Sequence, residues 1–196
     1  MTTTTQLKRE DLWSLEQYSE KRADFRQQVL AHKKNRNVML GDHVLLMFED
    51  LQTIHYQIQE MLRIEKVFES AGIQDELDAY NPLIPDGENW KCTMLIQYQD
   101  VEERKAKLQE LKDIESLIWV QAEGCDKIFA IADEDMDRAN DDKTSAVHFM
   151  RFQFDPESLS AAKGGANVSI GCDHIAYSKQ LVLSPNVLQS LIGDFA

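Results

Sequence analysis

The sequence predicts an α+β fold, with N-terminal helices and one long helix packed on a mostly antiparallel sheet. Two observations predict the helical part: residues 8–35 and 51–71 repeat apolar positions at helical spacing, and neither stretch contains Gly or Pro. A third predicts the sheet. The second half of the chain carries short period-two runs that follow one another without helical crossovers, which favours antiparallel pairing.

Along residues 8–35, Leu12, Leu15, Tyr18, Phe25 and Val29 mark the helical face. Residues 1–7 are expected to be a flexible tail. Residues 37–49 read as a hairpin turning at Gly41-Asp42. In the long helix, Leu51, Ile54, Ile58, Met61, Leu62 and Phe68 fall on one stripe, and Gly72 is the expected stop. A shorter helix over residues 73–79 runs into Asn81-Pro82, Pro85 and Asp86-Gly87. Residues 76–87 are therefore expected as a rigid, ordered turn, a frequent place for binding groups.

A strand over residues 91–98 and a charged helix over 101–112 come next. A second hairpin joins 117–122 to 127–132, and an acidic short helix is expected near Asp133. Strands follow at 145–154, 167–172 and 179–183. Pro156 and Pro185 open two short helices, the first ending at Gly164-Gly165. No repeat and no low-complexity linker divides the chain, so residues 1–196 are read as one domain.

Composition narrows the function classes. Net charge is −13. Residues 1–36 hold eight Lys/Arg against five Asp/Glu, a balance of +3, so the remainder carries −16. An acidic body argues against general nucleic-acid binding. Arg22, Arg26 and Lys33 share one helix face, which is either a solvated surface or a docking surface. No apolar run approaches the roughly 18 residues of a membrane span, and the N-terminus lacks an apolar signal core. Cys92, Cys125 and Cys172 form no CxxC pair and are expected to be free thiols. A cytoplasmic protein is the expectation.

Phosphate-binding, dinucleotide-binding, HExxH and GxSxG motifs are all absent, so no motif specifies a reaction and enzymatic activity stays undecided. Asp133, Asp135 and Asp137 begin like a calcium loop. Arg138 and Thr144, however, occupy the positions that require Gly and Glu.

Side-chain phase singles out three further residues. Glu65 falls inside the apolar stripe of the long helix, where a carboxylate needs a partner. His148 alternates with Met150, Phe152 and Phe154, and His174 shares a strand face with Val168, Ile170 and Cys172. Two His and one carboxylate form the ligand set of a mononuclear non-haem iron site. The reading to test is that Glu65, His148 and His174 hold a divalent metal such as iron. Tyr80 and Asn81 would line the pocket, and Arg63 would pair with an anionic substrate or with Glu60. The alternative is that each histidine is a hydrogen-bonded core residue.

The segments 48–50, 57–63, 76–87, 147–149 and Asp173-His174 resemble an uncharacterised bacterial family, domain of unknown function 3501. The resemblance covers most of the chain, and residues 76–87 are its most specific part. It implies a setting near rubrerythrin-like and iron–sulfur proteins, and so a role around iron or peroxide chemistry, without implying a reaction. Two hypotheses follow. One is a metal-linked or redox-linked protein, with a non-haem iron site. The other is a non-catalytic accessory protein for an iron–sulfur or rubrerythrin-like partner, docking through the basic helical face.

Overall fold

The computed structural model describes residues 6–134 and 143–196. Ser14 opens the first helix. Its hydroxyl accepts from the Gln17 N–H, and the Gln17 side chain accepts from the Ser14 N–H. With both orphan donors satisfied, α1 (Leu15–Lys33) runs as one helix. The hairpin β1 (Asn37–Leu40) and β2 (Val44–Glu49) follows, turning through Gly41 at φ +67°. Asp50 caps α2 (Leu51–Glu65) by accepting from the Thr53 N–H.

Next come α3 (Ser70–Tyr80), a tight turn at Asn81–Leu83, β3 (Asn89–Ile96) and α4 (Val101–Glu110). After them lie β4 (Ile118–Ala122), β5 (Ile128–Phe129), β6 (Ile131–Ala132) and β7 (Val147–Gln153). The chain ends with α5 (Pro156–Lys163), β8 (Val168–His174), β9 (Tyr177–Val182) and α6 (Pro185–Ile192).

Two antiparallel sheets result, ordered β1-β2-β3-β7-β6 and β5-β4-β8-β9. The chain is thus α+β, as its patterning predicts. One extended segment links the sheets: β5 pairs with β4, and beyond Ala130, β6 pairs with β7. At the other side the Tyr177 hydroxyl donates to the Leu40 carbonyl and accepts from the His43 and Val44 N–H groups. Between the sheets, alternate residues form one core that includes Leu46, Phe48, Trp90, Met94, Phe152, Val120 and Ile170. Each such side chain contributes about 1.5–3 kcal/mol of burial. Glycine is needed at Gly171, because a Cβ there would lie 2.3 Å from the Trp119 ring.

Helices α2 and α3 build a second core from Ile54, Ile58, Leu62 and Leu77, closed by Ile84 after the Asn81–Leu83 turn and by Leu7. Leu7 is therefore not part of a flexible tail: it is buried, and its backbone is held by Asn81. The long helix is shorter than its apolar stripe suggests. Lys66 adopts a left-handed conformation (φ 56°) and ends α2 at Glu65. Phe68 thus leaves the stripe and is exposed. Gly72 lies inside α3 instead of stopping a helix, and a Cβ there would meet Val67 at 2.7 Å. The calcium-loop positions Asp135, Asp137 and Arg138 lie outside the described residues.

Candidate functional site

In β3 the alternation turns Trp90 and Cys92 into the core and leaves Lys91 on the opposite face. In β7 it leaves Phe149, Arg151 and Gln153 there. The register places Lys91 directly opposite Arg151, a like-charge pair that works against the sheet. Glu134 answers Arg151 with two hydrogen bonds, at 2.9 and 2.7 Å, and Gln153 accepts a third at 2.7 Å. The Lys91 side chain makes no hydrogen bond or ion pair with any described residue.

Lys91, Arg151 and Glu134 rim a cavity of about 250 Å³ whose other lining is apolar: Pro82, Leu83, Phe149 and Met150. The 76–87 segment supplies one wall. Its Asn81 amide binds both backbone groups of Leu7, which fixes Pro82 and Leu83 in place. Lys91 is partly buried. Burial, with Arg151 beside it, lowers the amine's pKa below the ordinary lysine value, against an opposite pull from Glu134 and Asp86. An ammonium that makes no hydrogen bond or ion pair with a described residue, at the edge of an apolar hollow, is a place for an anionic or electron-rich ligand group.

Two larger hollows are already balanced internally. In the 760 Å³ groove beside Tyr98, His43 and Arg104 direct ring and guanidinium nitrogens to the backbone carbonyls of Gln97 and Tyr98. In the 510 Å³ cleft between Ile84 and Gly193, Asp50 and Asp194 both flank the buried guanidinium of Arg36. His55 also lines that cleft, and its Nε2 is buried without a hydrogen bond among the described residues. Burial lowers the His55 pKa, favouring the neutral ring that packs against Trp13 and Phe25.

The predicted metal ligands do not meet. Glu65 is exposed on the last turn of α2, because the helix ends before the stripe continues. His148 and His174 are buried, as their alternation predicts, and each is used by its surroundings. The His148 Nδ1 bonds Asp133 at 2.5 Å, and its Nε2 lies 2.8 Å from the Thr144 hydroxyl, which donates to Glu115. Asp–His–Thr is the order of a nucleophile triad. Thr144, however, is only 1% exposed and its proton is committed to Glu115.

The His174 Nδ1 accepts from the Ala176 N–H and its Nε2 donates to the Lys112 carbonyl. The two histidines approach the same 112–115 turn from opposite sheets without a common ligand position. Among the described residues no group of three His, Cys, Asp or Glu side chains is placed to hold a metal ion. Arg63 pairs with Glu60, and Tyr80 packs on the second core. Lys91 and Glu134 escaped sequence reasoning. Their signal is a lysine on a central strand whose outer face is covered.

The family described as "Protein of unknown function (DUF3501)" matches residues 6–195. The chain belongs to that family. A member of the same fold is the crystal structure of a "novel protein of unknown function" from Burkholderia pseudomallei K96243. It is 46% identical over 100% of both chains, with a TM-score of 0.93. No curated protein matches the chain. No helix among the described residues is long and apolar enough to cross a membrane.

Proposed function

We propose that the protein binds a small, largely apolar molecule carrying one carboxylate, in the cavity between the Asn81–Leu83 turn and the outer face of β3 and β7. The observation that supports this is the Lys91 ammonium, which lines an apolar cavity and makes no hydrogen bond or ion pair with a described residue. Its pairing with a ligand anion offsets the cost of partial burial. The apolar walls contribute by excluding water. At about 250 Å³ the space is below the roughly 300–1,000 Å³ of drug-sized sites, so the ligand is small. A metal-linked or redox-linked role is supported by the sequence resemblance, without a ligand group among the described residues to carry it, and an accessory role beside an iron–sulfur or rubrerythrin-like partner by the resemblance and the basic face of α1.

The test is an amide NMR titration with butyrate, and with butylammonium as the control of opposite charge, up to concentrations on the order of 10 mM. Butyrate should shift the amides of residues 83, 91 and 149–151, and Lys91→Met should abolish the effect. Equal shifts from butylammonium, or no shift at these residues, would refute the reading.

A further inference from the structure

We propose that the Lys91 amine condenses with the carbonyl carbon of a small 2-oxo acid held in this cavity, forming an imine. The inference rests on the reading that this cavity takes a carboxylate, and changes it in two ways: the carboxylate moves from Lys91 to Arg151, and Lys91, as the free amine, reacts covalently. A 2-oxo acid carries adjacent carboxylate and carbonyl groups. Lys91 and Arg151 stand directly opposite each other on paired strands, so adjacent groups of one ligand can face adjacent cationic side chains. The ligand carboxylate takes its place at the Arg151 guanidinium by exchanging with Glu134, whose side chain is 49% exposed and so free to yield. The carbonyl then lies toward Lys91, and an apolar ligand tail faces Pro82, Leu83, Phe149 and Met150.

Only the unprotonated amine attacks. Partial burial and the neighbouring guanidinium both favour that form at Lys91. The nitrogen lone pair forms the C–N bond as the carbonyl π electrons move to oxygen. Proton transfer from nitrogen to oxygen gives the carbinolamine, and loss of water leaves the imine. The products are imine and one water, with no oxidant or reductant consumed.

The experiment incubates the full chain with 2-oxobutyrate and sodium cyanoborohydride, then locates the reduced adduct by peptide mass mapping. Lys91 should be labelled at least about tenfold faster than any other lysine, because the cavity holds the carbonyl beside it. Butyrate should suppress that label, and Lys91→Arg should remove it while the protein stays folded. Label spread evenly over the lysines, or unaffected by butyrate, overturns the proposal. If butyrate shifts the cavity amides but no adduct forms at Lys91, the binding reading stands and the covalent step falls. If neither occurs, both fall.

Discussion

Lys91 and Arg151 face each other in register across β3 and β7, yet among the described residues Glu134 forms its ion pair with Arg151 and not with Lys91. The sheet thus carries a cross-strand repulsion that a neutral side chain would relieve. Lys91→Met should therefore raise stability by roughly 0.5–1 kcal/mol while removing carboxylate binding. Urea unfolding of the two proteins checks this. A clear loss of stability in the variant would mean that Lys91 has a structural partner.

Arg36 is 1% exposed and donates to the Phe48 and Glu49 carbonyls and to Asp194, with Asp50 at 3.5 Å. Truncation to Ala would leave two largely buried carboxylates without it, at a cost of about 3–5 kcal/mol. The protein should lose its cooperative unfolding transition or unfold at much lower urea.

Burial pushes the Asp194 carboxyl up to about 6, against the pull of Arg36. Between 3.8 and about 6 the native state holds a proton that the unfolded chain has lost. This group's contribution therefore falls as pH rises through that window. At Asp50 burial raises the pKa, but Arg36, the Thr53 N–H and His32 outweigh it and hold the carboxyl low. Its contribution is present above the ordinary carboxylate range and is lost on acidification below it. Asp194→Asn should remove the 3.8-to-6 component from the stability profile, as urea midpoints measured across pH would show. Parallel profiles for the two proteins would contradict this.

His148 bridges Asp133 to Thr144 inside the core. His148→Ala should destabilise by roughly 2–4 kcal/mol through a lost buried network and a cavity. Iron and zinc content, measured by mass spectrometry after anaerobic purification, should match the parent protein. A drop in bound metal would restore the ligand role.

Thiol reactivity should divide the cysteines. Burial raises the Cys92 thiol pKa well above its ordinary value and pushes Cys172 up to about 11, whereas Cys125 is only partly buried. A disulfide reagent should modify Cys125 rapidly and the other two on unfolding. Three equally fast thiols would count against the packing described.

Much of the fold was legible because it depends on local pattern. Alternation placed His148 and His174 inward, and Gly41, Pro156 and Pro185 marked real boundaries. Glu65 is exposed although its stripe phase predicts burial, because that burial depends on where α2 ends. Phe68 extends the apolar stripe in sequence, but the left-handed Lys66 takes it out of the helix. The site itself was half legible. The 76–87 turn was singled out for its rigidity, and it does supply a cavity wall through Pro82 and Leu83. Lys91 and Glu134 carry no such signal, because their placement comes from strand register and from a contact between distant segments. Neither leaves a periodic trace.

The most direct test is the NMR titration of the Lys91 side-chain resonances with pH, without and then with saturating butyrate. Lys91 should titrate below the exposed lysines, and butyrate should move its midpoint upward, since a bound carboxylate favours the ammonium. A Lys91 midpoint that coincides with the exposed lysines and does not move with butyrate would contradict the proposed site.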